Sequence, residues 1–437
     1  MPGRQLIMDF EVTPTSHTLA DYKARGGYGT LVKALGMAPA DITKEVTASG
    51  LLGHGGAAFP VGRKWGVMKP NPGEIHYLCA NADEGEPGTF KDRWILEHAP
   101  HLLVESMLIT SYALGVRHAF VYIRGEFDLP YRRIQGAVDE AYAAGLLGRP
   151  VPGSEFTLDI VVYRGAGSYV CGEASGLITS IEGRKPYPRN RPPRLTVKGL
   201  FQKPTVINNV ESLANITGII RMGAEEFRKV GTAKSPGTQL ISISGHIAKP
   251  GVYEVEYGYS WAKFLDEDCG GMLHGAKMKC VVPGGISTKV LTRAEIEPLT
   301  LSHESVNPAG SGLGSGGMIV IAEGTCMVRL LQVLLRFYHH ESCGQCTPCR
   351  EGMGWMHRII DRIIAGQGRL EDIDRLYAIS HANDGTTICG MGDAAGFATV
   401  GIIAKYRDEF EYYIAHKRSK FGGRLEVGVA EREAAHA

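Results

Sequence analysis

The chain has 437 residues and a formal net charge of +1, because 47 Lys and Arg residues are balanced by 46 Asp and Glu residues. Such an even charge balance provides no long-range field that would attract nucleic acid or an acidic membrane, and it disfavours both as partners. At roughly 150 residues per domain, the length predicts about three domains.

The first segment with a functional pattern is a glycine-rich loop, SGLLGHGGAAFPVGRKW. Gly53, Gly55 and Gly56 would let backbone amides approach a phosphate or a flat ring, and Lys64 could supply a counter-charge. An ordinary tight turn explains the glycines equally well. The loop is therefore a candidate ligand loop only in combination with other motifs.

The next part of the chain alternates short β-rich runs with helical segments, which is typical of an α/β layer fold. Each helical segment ends in a glycine, as helix C-terminal caps often do. We expect these helices to be the crossovers of a largely parallel sheet. Strands are predicted at 75–81, 118–125 and 156–163, and helices at 102–115 and 131–145.

An acidic turn, NADEGEPGTFKDR, follows the first predicted strand. It contains Asn81, Asp83, Glu84 and Glu86, and a solvated surface turn around Pro87 would account for all of them. In a binding site, the Asn and Asp side chains would hydrogen-bond a polar ring edge or the hydroxyl groups of a cofactor. A carboxylate here would also repel the extra phosphate of NADPH and so favour NADH.

A second glycine loop, RGAGSYVCGE, follows the third predicted strand and is predicted to open a helix. Parallel α/β sheets bind ligands at this position, where a strand ends and a helix begins. The spacing of Gly165, Gly167 and Gly172 is not the GxGxxG fingerprint, which argues against an ordinary Rossmann fold. Taken alone, the loop is as compatible with a tight turn as with a ligand site.

Two further features lie beyond this loop. Asn208 and Asn209 precede a predicted helix, and one of them would serve as its N-cap, which leaves the other for a ligand. A basic, proline-rich run is more typical of a solvated loop, but it would hold a pyrophosphate if it folded over the crevice. The basic residues of this run are Arg184, Lys185, Arg189, Arg191, Arg194 and Lys198.

Shifts in composition and periodicity predict three domains. Residues 1–235 would form an α/β domain that carries both glycine loops, and residues 236–324 a small β-rich domain with short strands and many glycines. From 325 to 437 the helical period returns, first in CMVRLLQVLLRFYHH and then in two further segments. We expect the last residues, from Val427 onward, to be frayed.

Four cysteines suggest a metal centre in the third domain. Cys343, Cys346 and Cys349 lie close together in SCGQCTPCR, and Cys389 follows in TTICGMGD. This spacing lets one loop turn three sulfurs toward a common centre, as an iron–sulfur cluster requires. Structural zinc sites usually pair two separate cysteine hooks, so zinc and unligated thiols are the weaker alternatives. We predict one isolated cluster, held on loops between helices.

The remaining cysteines and the termini bear on the compartment. An odd set of nine cysteines, four of them assigned to a cluster, fits a reducing compartment. The first 19 residues contain no apolar signal core, and the apolar stretch 326–335 is too short to span a bilayer. We therefore expect a soluble, cytoplasmic chain. The other five cysteines are expected to be small buried residues: Cys79, Cys171, Cys269, Cys280 and Cys326.

Taken together, the motifs resemble one known family. LLGHGGAAFPVGRKW, NADEGEPGTFKDR, RGAGSYVCGE, KPTVINNVE and HESCGQCTPCREG occur in this order and closely resemble the NADH-binding flavoprotein subunit of bacterial respiratory complex I. The resemblance extends from about Tyr22 to Tyr412. It implies non-covalently bound FMN, an NADH site, a β-grasp (ubiquitin-like) second domain and a C-terminal helical domain with one 4Fe–4S cluster.

The resemblance also implies site residues, none of which acts as a nucleophile because the cofactors carry the chemistry. Flavin contacts are implied at Gly53, Gly55, Lys64, Asn81, Asp83, Glu84, Gly172, Glu173, Asn208 and Asn209. NADH contacts are implied at Gly56, Ala57, Phe59, Lys64 and Glu86. Cluster ligands are implied at Cys343, Cys346, Cys349 and Cys389.

For function, the resemblance implies hydride transfer from NADH to FMN, followed by single-electron transfer to the cluster and on toward quinone. The implied partners are a thioredoxin-like 2Fe–2S subunit and a large multi-cluster iron–sulfur subunit. The implied location is the cytoplasmic face of the inner membrane, with the membrane contacted only through the complex. A close alternative is the diaphorase subunit of a soluble NAD-linked formate dehydrogenase or hydrogenase.

The sequence also departs from the family pattern at several positions. The family usually has arginines at Leu52 and His54, a glycine at Ala58, a second glutamate at Ala174 and an aromatic residue at Arg194. Arg194 could still stack its guanidinium on a purine. These departures motivate a third hypothesis, an electron-relay or assembly protein whose NADH site has decayed.

Overall fold

The computed structural model describes residues 3–68, 70–71 and 73–421. The predicted fraying from Val427 lies outside these residues, and the division into three domains stays a prediction. The chain separates into two compact units. The first unit comprises the chain up to Gly85, Phe90–Ile241 and Val252–Tyr259, and the second comprises Glu86–Thr89, Ser242–Gly251 and the chain from Ser260 onward.

A parallel sheet forms the centre of the first unit. Its strands are β1 (Tyr77–Ala82), β2 (His118–Ile123), β3 (Asp159–Arg164) and β4 (Thr205–Asn209), in the order β3, β2, β1, β4. All three strand pairs are parallel, which confirms the predicted sheet. Leu78, Cys79 and Ala80 of β1 are fully buried, as expected of a parallel sheet covered on both faces.

Helices cover this sheet. The two predicted crossover helices are confirmed as α6 and α7, and Gly115 caps α6 in the left-handed region, with φ of +71°. The helices described in the first unit are α1 (Leu19–Ala24), α2 (Gly29–Leu35), α3 (Pro39–Ser49), α4 (Val61–Gly66), α5 (Lys91–His98), α6 (Pro100–Leu114), α7 (Asp128–Ala143), α8 (Ala174–Ile181), α9 (Val210–Met222) and α10 (Ala224–Arg228).

The strand order creates a topological switch point in the first unit. The chain moves outward from β1 to β2 and β3, and then returns to place β4 on the other side of β1. Ligands of open α/β sheets bind beyond the carboxyl ends of the strands at such a point. The crevice between the ends of β1 and β4 is therefore the expected binding position.

A mixed sheet follows in the chain, and its last three strands belong to the second unit. Its strands are β5 (Thr238–Gly245), β6 (Gly251–Glu256), β7 (Met278–Val282), β8 (Leu291–Thr292) and β9 (Gly317–Ala322), in the order β6, β5, β9, β7, β8. The division between the units falls within the β5–β6 hairpin. The last strand, β9, lies between β5 and β7, parallel to the first and antiparallel to the second. This is the arrangement of a ubiquitin-like β-grasp.

Helices complete the second unit, and the longest ones follow the sheet. None of the helices in the described ranges combines the length and the apolar character that crossing a bilayer would require. The helices described in this unit are α11 (Trp261–Lys263), α12 (Arg293–Ile296), α13 (His303–Val306), α14 (Met327–Glu341), α15 (Thr347–Ile364), α16 (Leu370–Asn383) and α17 (Met391–His416).

Candidate functional site

Three of the sequence motifs meet at the switch point of the first unit. Asn81 at the end of β1 and Asn209 at the end of β4 are register partners. The Asn81 side chain donates a hydrogen bond of 2.9 Å to the carbonyl of Gly172, in the second glycine loop. Its oxygen accepts one of 3.0 Å from the backbone N–H of Asp83. Residues predicted from separate motifs thus lie side by side.

The first glycine loop packs against the same edge. A Cβ at Gly55 would lie 3.2 Å from Cβ of Asn209, so the loop backbone approaches the end of β4 as closely as a side chain would allow. The loop is tied to α9 because the N–H of His54 donates to Ser212 Oγ at 2.9 Å. Gly55, Gly56, Ala57 and Phe59 are exposed, and the Phe59 ring is 44% accessible. This loop therefore offers backbone and one aromatic ring to a ligand.

Ala58 explains one departure from the family pattern. Its φ is +50°, in the left-handed region that glycine adopts without a steric penalty. An L-residue with a Cβ costs roughly 1–2 kcal/mol there. The glycine that the family usually carries at this position would adopt this backbone conformation without strain.

Lys64 lies beside β4. Its Nζ donates a hydrogen bond of 2.8 Å to the carbonyl of Ile207. Burial, assisted by the nearby charge of Arg191, lowers the pKa of Lys64 to about 8. A lysine with this pKa gains from pairing with an anion, and a cofactor phosphate would restore its ordinary protonation.

Glu84 and Asn209, both predicted flavin contacts, have structural partners in this fold. Both Glu84 carboxylate oxygens accept backbone N–H groups, from Asp92 at 2.8 Å and Arg93 at 3.0 Å, and so cap α5. Burial, followed by the charge of Asp92, raises the pKa of Glu84 to about 8. The Asn209 side chain caps α9 by accepting from the N–H groups of Glu211 and Ser212. Both residues hold the loops that border the crevice.

The sequence pattern left one of Asn208 and Asn209 for a ligand, and because Asn209 caps α9, Asn208 is that residue. Its side chain is buried, and its amide oxygen accepts a hydrogen bond of 3.1 Å from the indole N–H of Trp65. This bond joins β4 to α4, which follows the first glycine loop. A flavin contact at Asn208 stays a prediction, and the sequence pattern could not show that Trp65 would engage its oxygen.

Glu173 is likewise engaged within the first unit. The second glycine loop leads into a short 3₁₀ turn, and α8 begins only after Glu173, which is its N-cap. One carboxylate oxygen accepts the N–H groups of Ser175 and Gly176, and the other accepts Arg191 Nη2 at 3.0 Å. The Arg191 contact joins the basic run to the second glycine loop.

Another residue of the basic run, Arg189, anchors the run to α8. Its guanidinium donates to Thr179 Oγ1 at 3.2 Å, to the carbonyl of Gly199 at 3.1 Å and to Glu182 at 2.6 Å. Arg194 is exposed, where it could contact a ligand. The basic run thus combines one structural anchor with exposed cations.

Sequence reasoning missed a buried charge network beneath the site. Lys91 is fully buried, with Nζ 2.9 Å from Asp92 Oδ1 and 2.7 Å from Glu211 Oε2. Burial alone would lower the pKa of Lys91, but Asp92 and Glu211 outweigh it and raise the pKa. Asp92 also accepts from the Asn209 amide at 2.6 Å, which links the network to the crevice. The available signal was the charged pair Lys91–Asp92, within the acidic-turn motif at the start of α5.

His54 completes this network as a neutral group. It is buried, and its Nε2 lies 3.1 Å from the carbonyl of Thr238. Burial, followed by the charge of Lys91, lowers the pKa of His54 to about 3. Because the family usually carries an arginine here, this chain has one buried cation fewer beside Glu211.

Glu86, a predicted NADH contact, belongs to the second unit. Its carboxylate accepts hydrogen bonds from the backbone N–H of Ser287, at 2.7 Å, and from the Ser287 hydroxyl. A Cβ at Gly285 would clash with the Glu86 side chain, so the backbone passes very close to it. The carboxylate is therefore held in a defined position.

The four predicted cluster ligands lie in the helical part of the second unit. Cys343 and Cys346 precede α15, with Cys346 as its N-cap, and Cys389 lies between α16 and α17. Cys349 was predicted on a loop but lies in the first turn of α15, because Pro348 favours an early helix start. Burial raises the pKa of the Cys349 thiol to about 11, and the charges of Cys346 and Cys343 add to this effect.

The chemistry of this donor set fits an iron–sulfur cluster. Two of the cysteines lie at the N-terminus of an 18-residue helix, whose dipole favours negative charge. The Ser342 hydroxyl lies 3.3 Å from Cys349 Sγ, as an outer-shell hydrogen bond to a ligand would. Within the described ranges, no three His, Cys, Asp or Glu side chains are grouped as they are around a bound metal ion.

The other cysteines are buried thiols, as predicted. They have at most 2% of their surface accessible. Burial raises the pKa of Cys280 to about 11, so this thiol is protonated at neutral pH. These residues pack as small apolar side chains.

Comparisons with known proteins agree with this geometry. Residues 46–218 match the Nuo51 FMN-binding domain, and residues 329–413 match the iron–sulfur binding region of NADH-ubiquinone oxidoreductase-F. The first match contains both glycine loops and the ends of β1 and β4. The second contains all four predicted cluster ligands.

Individual relatives match over nearly the whole chain. The F 2 subunit of NADH-quinone oxidoreductase from Rhizobium meliloti is 44% identical over 409 residues, covering 93% of this chain and 97% of the relative. The corresponding F subunit from Mycobacterium bovis is 46% identical over 410 residues, covering 92% and 91%. Among solved structures, an NAD⁺-reducing [NiFe]-hydrogenase chain matches with a TM-score of 0.79 and 34% identity, over 91% of this chain and 66% of that chain.

Proposed function

The chain belongs to the family of NADH-quinone oxidoreductase F subunits, and from this membership we propose how its residues serve the reaction. It is an NADH dehydrogenase subunit that feeds electrons into a multisubunit enzyme, with FMN and a 4Fe–4S cluster as cofactors. A bound FMN would supply the capacity to accept a hydride and to give up two electrons one at a time, so the residues of this chain would serve by holding the cofactors and NADH.

The observation that carries the assignment of the flavin site is the convergence at the switch point. Asn81 and Asn209 face each other across β1 and β4, Gly172 is bonded to Asn81, and Gly55 lies against Asn209. We propose that FMN binds in this crevice. The open backbone of the glycine loops would let the isoalloxazine ring and the phosphate approach closely.

The predicted contact residues divide into two roles. Gly53, Gly55, Lys64, Asn81, Asp83 and Gly172 would touch the flavin directly. Glu84, Glu173, Asn208 and Asn209 would act through their main chain and by fixing the loops, because their side chains cap helices or bind the Trp65 indole. Lys64 and Asn81 also bond to main-chain carbonyls, but they lie beside the crevice.

NADH would bind on the exposed part of the first glycine loop. Gly56 and Ala57 present accessible backbone there, and Phe59 presents a ring on which a nicotinamide or adenine can stack. Lys64 would pair with a phosphate. Glu86 remains a proposed NADH contact, and a carboxylate of the acidic turn would disfavour the 2′-phosphate of NADPH.

Electrons would leave through a cluster held by Cys343, Cys346, Cys349 and Cys389. Replacing Cys346 with Ala should abolish the EPR signal of the reduced cluster and leave FMN binding unchanged. Cys326→Ala is the matched control, because Cys326 is buried away from these ligands in sequence and should keep the signal. A signal that survives Cys346→Ala would show that the ligands are misassigned.

The partners and the location are proposals from the family. We infer that the protein assembles with a thioredoxin-like 2Fe–2S subunit and a large multi-cluster iron–sulfur subunit, at the cytoplasmic face of the inner membrane. The alternative is a diaphorase role in a soluble NAD-linked hydrogenase, supported by the 34% identity to a hydrogenase chain. Purification with the neighbouring subunits decides between them, since quinone-linked and nickel-containing partners differ.

Stopped-flow mixing tests NADH oxidation directly. NADH added to the FMN-loaded protein should bleach the flavin absorbance, and ferricyanide should restore it. Phe59→Ala should raise the KM for NADH about tenfold without changing the flavin content, whereas Phe397→Ala, at another exposed ring, should change neither. A flavin that stays oxidised would favour the relay or assembly protein instead.

A further inference from the structure

A groove lies on the surface of the second unit, between α15 and α16. Its volume is about 330 Å³. Four of its residues recur at helical spacing on one face of α15, and the other two recur one turn apart on α16. The lining residues are Trp355, Arg358, Ile359, Arg362, Arg375 and Ile379.

The charges of the groove are unbalanced. Asp372 is the one acidic residue bound to the groove arginines among those described, and its side chain is fully buried. It accepts Arg362 Nε at 3.0 Å and lies 3.4 Å from Arg375 Nη1. Arg358 forms no ion pair within the described part of the chain. Three guanidiniums and one carboxylate leave a net positive groove.

Neighbouring carboxylates do not neutralise this charge. Asp361 accepts a hydrogen bond from Gln332 on α14, and Asp374 pairs with Arg407 on α17. Both are therefore engaged away from the groove. Part of the positive charge faces solvent, since 56% of the Arg375 side chain is accessible although it pairs with Asp372.

An apolar surface lies beside the positive charge. Trp355 is 50% exposed, which is unusual for the largest apolar side chain, and Ile359 forms a buried floor next to it. Tryptophan and arginine are the residue types that most often dominate binding energy at protein interfaces. A surface that combines them suits a peptide with both acidic and apolar side chains.

A small anion is a poorer fit. The groove runs along the middle of α15, well past its N-terminus at Thr347, so no unpaired helix N–H groups point into it. Phosphate sites in proteins usually use such donors. An arginine fork matches a carboxylate and a phosphate equally well, so the choice of a peptide rests on the apolar surface of Trp355 and Ile359 beside the charge.

We propose that this groove docks an acidic segment of a partner subunit, with an apolar side chain against Trp355 and carboxylates on Arg358 and Arg375. The inference rests on the proposed function in so far as the chain works within a multisubunit enzyme. Trp355 follows Cys349 by six residues on α15, which is about 9 Å along the helix axis. Docking here would bring a partner close to the exit of the electron path.

The test uses the assembled enzyme, co-expressed with a tag on this chain. Arg358→Glu combined with Arg375→Glu should reduce the co-purified subunits at least tenfold, and Trp355→Ala should do so in part. Arg336→Glu, at an exposed arginine on α14, is the matched control and should assemble normally. NADH:ferricyanide activity of each variant should equal that of the parent, which separates failed docking from a failed NADH site.

A photo-crosslinking residue at position 355 identifies the occupant. Mass spectrometry of the purified complex should find a crosslink to a partner segment with at least two Asp or Glu residues. A crosslink to a second copy of this chain, to its own residues beyond Phe421, or to a basic segment would overturn the proposal. So would normal assembly of the doubly reversed variant, or quenching of Trp355 fluorescence by inorganic phosphate alone.

Discussion

Lys91 Nζ lies 2.7 Å from Glu211 Oε2, and both side chains are fully buried. The two residues stand 120 positions apart in the sequence, at the starts of α5 and α9. Asp92 shares the ammonium and also bonds Asn209, so the ion pair supports the turn at the end of β4. A buried network of charged side chains therefore supports the crevice between the ends of β1 and β4.

Removal of the ammonium at Lys91 should therefore be costly. Lys91→Met leaves Asp92 and Glu211 without a buried counter-charge and should lower the free energy of unfolding by about 3–5 kcal/mol. Lys91→Arg keeps a positive charge and should lose less of the free energy of unfolding. Urea denaturation measures both. Lys44→Met, at an exposed pair with Asp41, should change it by less than about 1 kcal/mol. Equal effects of the buried and exposed variants would contradict the role of the network.

Stability should fall as the pH rises from 6.5 to 8. The pKa of Glu84 is raised to about 8, so the folded state binds more protons than the unfolded state in this window, and the slope is negative. His54 opposes this only weakly: its folded-state pKa is lowered to about 3, so the unfolded state binds more protons near pH 6.5, and the gain over the window is less than about 0.5 kcal/mol. We expect a loss of about 2 kcal/mol in urea titrations.

Two variants identify the group responsible for this pH dependence. Glu84→Gln removes the ionisable carboxyl and should reduce the dependence to the part below about pH 7 that Glu211 contributes, since burial raises the pKa of Glu211 to about 7. Glu225→Gln, whose side chain is 91% exposed, should keep it. A stability that rises across the same window would show that another group dominates.

Flavin binding should weaken above pH 8. Lys64 has a pKa of about 8, so it loses the charge that attracts the FMN phosphate as the pH rises through that value. Fluorescence titration of the flavin-free protein should give a Kd about tenfold higher at pH 9 than at pH 7. Lys64→Arg should abolish this dependence because a guanidinium stays protonated. The exposed Lys44→Arg serves as control, and a dependence that persists in Lys64→Arg would exclude Lys64 as its cause.

Ala58→Gly should raise the free energy of unfolding by between zero and about 1 kcal/mol, because glycine adopts the left-handed conformation without strain. The opposite sign is expected for Ala378→Gly, at an exposed position inside α16, which should cost about 1 kcal/mol. Thermal and urea unfolding of the two variants give the comparison. If both lose stability equally, the loop around Ala58 adopts another conformation.

Periodic and local signals in the sequence predicted most of the architecture. The alternation of strands and crossover helices, the glycine caps of α6 and α7 and the order of the cysteines are all short-range patterns. The strand β4 was not predicted, because its five residues, TVINN, end in two polar side chains. Its place beside β1 depends on long-range pairing.

The site was predicted less completely, for a related reason. Which polar side chains face a ligand depends on what else lies within hydrogen-bonding distance. The indole N–H of Trp65 donates a hydrogen bond to the side-chain oxygen of Asn208, and backbone N–H groups of α5 donate to both carboxylate oxygens of Glu84. Neither partner is marked by a repeat or a spacing, so the sequence predicts more ligand-facing side chains in these loops than the hydrogen bonds leave available.

Gly352 allows two helices to pack closely beside the predicted cluster ligands. A Cβ there would come within 2.7 Å of the Asn383 amide, so α15 and α16 pack in direct contact one turn beyond Cys349 and just before the connection to Cys389. We therefore expect the position of Cys389, the fourth predicted ligand, to depend on the contact between the two helices rather than on the length of the segment between them. A cluster bound there would be held by two tightly packed helices. Their packing would limit how far the cluster ligands could move when the charge of the cluster changes.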